Sequence, residues 1–102
     1  MFNITLKAKE QLNQISEQKN IWPHRFLRLT IPPIWSGEGD FGIVIDDVSD
    51  SDIKINFENQ TILLIESSFN KSLLNSTLDY IESGKQIGFN LDIYPTDNIA
   101  SN

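Results

Sequence analysis

The chain of 102 residues contains no cysteine. That absence removes disulfides, thiolate nucleophiles and every kind of metal or cluster ligation through cysteine sulfur. Imidazole is nearly absent as well, since the single histidine is His24, between Pro23 and Arg25. A lone histidine at the start of a strand is more often solvated or hydrogen-bonded than catalytic. Positive charge is scarce: eight Lys and Arg stand against 14 Asp and Glu, a net charge of −6. Nucleic-acid binding needs a basic stripe to replace phosphate counterions, so that class is excluded. The two arginines, Arg25 and Arg28, lie close together, and a spacing of three in an extended strand predicts opposite faces for them. Long hydrophobic runs are missing too. Ile43–Ile45 and Ile62–Ile65 are the longest and are far too short to span a bilayer, so no membrane association is predicted. Met1–Thr5 shows no basic segment leading into an apolar one, so the reading is a cytoplasmic chain. The sequons at Asn3, Asn59, Asn70 and Asn75 then reflect a composition rich in Asn, Ser and Thr.

What remains is an ordinary globular composition, 39% apolar and 22% charged, at a length that supports one hydrophobic core. Residues 1–95 are read as one domain and 96–102 as a mobile tail. Ile4 opens a short extended piece. Ala8, Leu12 and Ile15 recur at helical spacing and predict a helix over Lys7–Gln18, closed by Asn20 and Pro23. From Arg25 the period changes to two, with Leu27, Leu29 and Ile31 on one face and Phe26, Arg28 and Thr30 on the other. Phe41, Ile43 and Ile45 alternate likewise. Ile53, Ile55 and Phe57, then Asn59-Gln60, then Thr61–Ile65 read as a hairpin whose second strand is buried on both faces. Phe69, Leu73 and Leu74 suit a helical turn; Leu78–Ile81 and Phe89–Ile93 read as two more strands around Ser83-Gly84. One helix followed by six or seven short strands is an α+β, β-rich domain. Leu27, Leu29, Ile31, Ile43, Ile55, Leu64, Tyr80 and Phe89 are predicted to share one core, and deletion of Asp97–Asn102 is predicted to cost almost nothing.

Three local patterns invite a functional reading and fail on context. Gly37-Glu38-Gly39-Asp40-Phe41-Gly42 satisfies G-x-G-x-x-G, but it leads into a strand pattern rather than a helix, and Glu38 and Asp40 would repel a pyrophosphate. It reads as a flexible loop needing positive φ. Trp35-Ser36-Gly37 resembles part of a nucleophile elbow, but Ile34 stands where the leading glycine belongs. Asp47 to Glu58 has the span of an EF-hand loop, yet Asp52 occupies the glycine position and the flanks are strands, so Asp46–Asp52 reads as a solvated acidic turn. Trp22 and Trp35 are read as core anchors or interface residues.

A longer pattern carries more weight. Ile4-Thr5-Leu6 before a helix, Phe26-Leu27-Arg28-Leu29, and Leu78-Asp79-Tyr80-Ile81-Glu82-Ser83 leading to Gly88-Phe89-Asn90-Leu91 occur in the order and spacing of the A-type iron–sulfur carriers, also called HesB-like or IscA-like. The chain resembles that family over nearly its whole length, the Leu78-Asp79-Tyr80 and Gly88-Phe89 pair being the most specific piece. The resemblance implies a compact HesB-like pseudobarrel that forms dimers or tetramers, partners in the iron–sulfur assembly pathway, and a cluster held by one loop cysteine and two tail cysteines. Carried over from Leu27, the first cysteine position falls on Ser36. Anchored on Pro95, one tail position falls on Ser101 and the last lies beyond Asn102; anchored on Gly88, they fall on Ala100 and Asn102.

A serine hydroxyl is a far poorer ligand for iron than a thiolate. The expectation is therefore a non-enzymatic, cluster-free binding or interaction protein with no cofactor, in which Ser36 and Ser101 are vestigial positions. The alternative is an oxygen-ligand metal protein or small enzyme built on the Ser36–Asp40 loop, with Glu38 and Asp40 as ligands and His24 as a further candidate group.

Overall fold

The computed structural model describes residues 2–92 except 33, 38, 40, 70, 72, 84 and 85, with backbone alone for 83, 86 and 87. The residues predicted as a tail, Thr96–Asn102, and the strand end at Ile93 lie outside the described residues. The elements are β1 (Asn3–Ile4), α1 (Leu6–Lys19), β2 (Phe26–Thr30), β3 (Gly42–Asp46), β4 (Asp52–Phe57), β5 (Gln60–Glu66), a 3-10 turn (Ser67–Phe69), β6 (Thr77–Ser83) and β7 (Gln86–Asp92). The α+β, β-rich reading holds. The strands form two mixed sheets, β1-β6-β7 and β3-β2-β5-β4, rather than one closed barrel.

Helix α1 begins where its first free amides find a partner. Thr5 sits in the extended region and its hydroxyl accepts the Ala8 N–H at 3.2 Å. The helix ends at Asn20 in the left-handed conformation (φ 54°, ψ 44°), whose N–H reaches the Glu17 carbonyl while Ile21 N–H reaches Ser16 O. It runs one residue beyond the predicted span at each end. Its deepest stripe is Ala8, Leu12 and Ser16, spaced by four, with Ile15 half-buried beside it. This stripe packs on β5 and β2 of the larger sheet and on β6 of the smaller.

In the larger sheet, period two decides which residues meet the helix. β2 pairs with β5 in parallel with Arg28 opposite Leu64 and Leu29 opposite Ile65; β3 and β4 flank them antiparallel. Leu27, Leu29, Leu63 and Ile65 therefore face the core with Ile43 and Ile55 at its margins, while Arg28, Leu64, Val44 and Lys54 share the outer face. The predicted core is right for Leu27, Leu29 and Ile31, and Ile43, Ile55, Tyr80 and Phe89 pack against it. Leu64 differs: it is fully buried but lies on the outer face and does not join that core. As predicted, Ile62–Ile65 is buried on both sides. Tyr80 and Phe89 stand opposite one another on β6 and β7 with an edge-to-face ring contact at 5.0 Å.

Candidate functional site

The β2–β3 loop carries the residues singled out at Ser36–Asp40. Its first turn is closed by Trp35 N–H donating to Ile31 O at 3.0 Å. The Trp35 indole then lies against two glycines: a Cβ added at Gly42 would sit 2.5 Å from indole Cε3 and Cζ3, and one at Gly37 would collide with Cζ2. Gly39 alone of the three takes a left-handed φ, +84°. The loop's glycines are thus mostly explained by room for an aromatic ring, which amends the expectation that positive φ requires them. Trp22 has a structural place as well, packed on the core with its indole N–H donating to Thr61 O at 3.1 Å.

Ser36 is exposed beside Trp35. Glu38, Asp40, Ala100, Ser101 and Asn102 lie outside the described residues. His24 is exposed in the turn before β2, whereas the Ser36 loop follows the end of β2, so the two lie in the loops at opposite ends of that five-residue strand. The structure does not bring His24 to Ser36. Among the described residues no three His, Asp or Glu side chains converge on a metal-sized site, and no helix is long and apolar enough to cross a membrane.

Two polar clusters that sequence reasoning passed over are well formed. In the first, the Thr5 hydroxyl donates to Asp79 Oδ1 at 2.7 Å, and the same oxygen accepts the Tyr80 N–H at 2.7 Å. Asn3 N–H to Ser76 O and Thr5 N–H to Leu78 O complete the joint. The Thr5 hydroxyl above all, and then the Tyr80 amide, hold the Asp79 carboxyl below the usual range. Two of the sequence pieces that carry the resemblance, Ile4-Thr5-Leu6 and Leu78-Asp79-Tyr80, are thereby one structural clasp that docks the start of α1 on β6.

In the second, the Arg28 guanidinium forks onto Asp52, Nη1 to Oδ1 at 2.6 Å and Nη2 to Oδ2 at 2.7 Å, while Nε donates to Asp46 Oδ2 at 2.9 Å and Nη2 to Asp47 O at 2.9 Å. The Arg28 side chain is 14% exposed and that of Asp52 not at all. The Arg28 hydrogen bonds hold Asp52 below the usual carboxylate range against the opposing effect of burial, with the Ser49 N–H helping at 2.7 Å; the same bonds push Arg28 up. Arg25 adds an exposed ion pair to Asp47 at 3.5 Å. The solvated-turn reading holds for residues 46–51, which are exposed, but not for the buried Asp52 side chain, and the turn is latched as well as solvated. β2 and β5 lie between β3 and β4, so this short link must cross them, and Arg28 on the outer face binds both of its ends. The signal was present in the sequence as one arginine inside an otherwise uncharged strand, with a run of aspartates downstream.

With that geometry in hand, comparison with solved structures identifies the architecture. SufA of Escherichia coli, involved in the biosynthesis of iron–sulfur clusters, superposes with a TM-score of 0.61 at 16% identity, over 89% of this chain and 83% of that one. IscA with a [2Fe-2S] cluster gives 0.60 at 20% identity, over 91% and 85%. The chain has the A-type carrier fold. A protein of Aquifex aeolicus matches that fold equally well, with a TM-score of 0.61 at 22% identity over 89% of both chains. No protein-family model matches the chain, and no curated protein does.

The donor set does not fit an iron–sulfur cluster. The chain supplies no thiolate anywhere, and the position that the resemblance assigns to the loop cysteine carries the exposed, neutral hydroxyl of Ser36.

Proposed function

We propose that this protein is a cluster-free relative of the A-type carriers, a non-enzymatic binding or interaction protein that keeps the carrier scaffold without its cargo site. The observation that carries the reading is a division within the chain. Residues that build the fold are present and bonded as a scaffold needs, from the Thr5–Asp79 clasp to the Leu29 and Ile65 core, while cysteine is wholly absent. Partners are then proteins, and those of iron–sulfur assembly are the first to test because the matched structures include SufA, which takes part in that process. The oxygen-ligand reading built on Ser36, Glu38 and Asp40 gains no specific support, since one of the three is an exposed hydroxyl and the other two lie outside the described residues.

The test is anaerobic reconstitution with iron and sulfide of protein purified without chelator, followed by absorption spectroscopy and metal analysis. The protein is expected to stay colourless and to release all iron on desalting. A stable cluster absorption band with stoichiometric iron and sulfide would sink the proposal; stoichiometric iron without sulfide would favour the oxygen-ligand reading instead.

A further inference from the structure

Leu64 has no exposed surface although it lies on the sheet face turned away from α1 and outside the main core. Its register neighbours on that face are Arg28 on β2 and Lys54 on β4. The link from β3 to β4 crosses this same face, and its fastenings are few. Arg28 takes Asp46, Asp47 O and Asp52; Ser49 N–H binds Asp52 Oδ2; and Ser67 N–H binds Ser51 O at 3.2 Å. The link residues 47–51 are themselves exposed, and its apolar anchorage is limited to Val48, which keeps 41% of its surface in solvent. A segment held by polar bonds at its ends, over a core held by apolar contacts elsewhere, is a unit that can open on its own.

We propose that residues 47–51 form an acid-released strap, latched across the outer face by Arg28, which lifts when the Asp52 end of the latch is protonated and uncovers Leu64 while the α1 side stays folded. The charged groups facing the latch are Asp46 from β3, Asp52 and Lys54 from β4, Glu66 from β5 opposite Asp52, and the Arg25–Asp47 pair at the strap's first residue. Protonating Asp52 turns one of the two accepting oxygens of the fork into a hydroxyl and removes the charge that pairs with Arg28. It also leaves the Arg28 charge on a face with Lys54 beside it, so release follows from both losses.

Hydrogen exchange followed by NMR on the whole chain tests this, with the amides of Ser49 and Ser67 reporting the strap and that of Leu12 reporting α1. Between about pH 6 and about pH 3, protection at Ser49 and Ser67, normalised for intrinsic rate, is expected to fall at least about tenfold more than at Leu12. Asp52→Asn at neutral pH should reproduce that selective loss. Loss of protection at all three sites together, or an Asp52→Asn protein that keeps native protection at Ser49, overturns the proposal. If Asp52→Asn does not fold, Asp46→Asn, which spares the forked pair, decides with the native pH series: selective loosening at Ser49 and Ser67 supports the strap, and an unchanged pattern in both overturns it.

Discussion

One oxygen of Asp79 accepts both the Thr5 hydroxyl and the Tyr80 amide, and the hydroxyl it binds is also the cap of α1. Three backbone or side-chain groups are thus satisfied by two short side chains 74 positions apart. A charged acceptor serves this joint better than a neutral one, which is why its carboxyl is held below the ordinary 3.8. A depressed carboxyl stabilises the folded state fully above its unfolded value, and that contribution disappears as pH falls through the lower folded value. Asp79→Asn should therefore lower the urea midpoint at neutral pH, with the gap to the native protein closing as pH falls below the usual carboxylate range. A gap of constant size from about pH 7 to about pH 3 would show that the charge of Asp79 plays no part.

At the scale of elements, the β4–β5 hairpin turns through Glu58 and Asn59, both left-handed at φ 50° and 65°. Two-residue hairpin loops want this pair of conformations, but glutamate has no special tolerance for the first of them. Glu58→Gly should stabilise the protein by up to about 1 kcal/mol, read as a higher urea midpoint at unchanged slope. The position of a strand in its sheet sets the opposite kind of effect. Leu29 is enclosed on central β2, whereas Ile55 is half-buried on edge strand β4. Leu29→Ala is expected to cost about 2 to 5 kcal/mol and Ile55→Ala roughly half of that or less, and equal losses would mean that β4 is covered by something beyond this chain. Period two and period 3.6 made these elements legible in the sequence, down to the two-sided burial of β5. They did not reveal strand order. Because β4 follows β3 in sequence but sits three strands away, the aspartates between them look like a surface turn until Arg28 is seen beneath them. The candidate site was legible only as an absence of cysteine. The glycine pattern at Gly37 to Gly42 pointed to backbone freedom because nothing local tells that an indole two residues earlier will fold onto it.

For the whole molecule the question is whether two separate sheets make two separable units. α1 rests on β2 and β5 of one sheet and on β6 of the other, and Leu12, Leu29, Ile65 and Leu78 belong to a single core. Removing the helix would strip both sheets of cover at once, and a three-stranded sheet with the two-residue β1 at one edge has little means of standing alone. Unfolding should accordingly be one transition, apart from the local opening of the strap. Trp22 and Trp35 report the larger sheet, since the one bonds to Thr61 and the other rests on Gly42; Tyr80, packed on Phe89, reports the smaller. Tryptophan fluorescence and near-ultraviolet circular dichroism of a variant with both tryptophans replaced by phenylalanine should each give one urea transition matching that protein's own far-ultraviolet signal. Leu78→Ala, made on the smaller sheet, should lower the tryptophan-detected midpoint of the otherwise native protein as much as the Tyr80-detected one in a tryptophan-free background that also carries Tyr94→Phe. A Leu78→Ala protein whose tryptophans unfold at the native midpoint would show that the sheets fold independently and that α1 does not couple them.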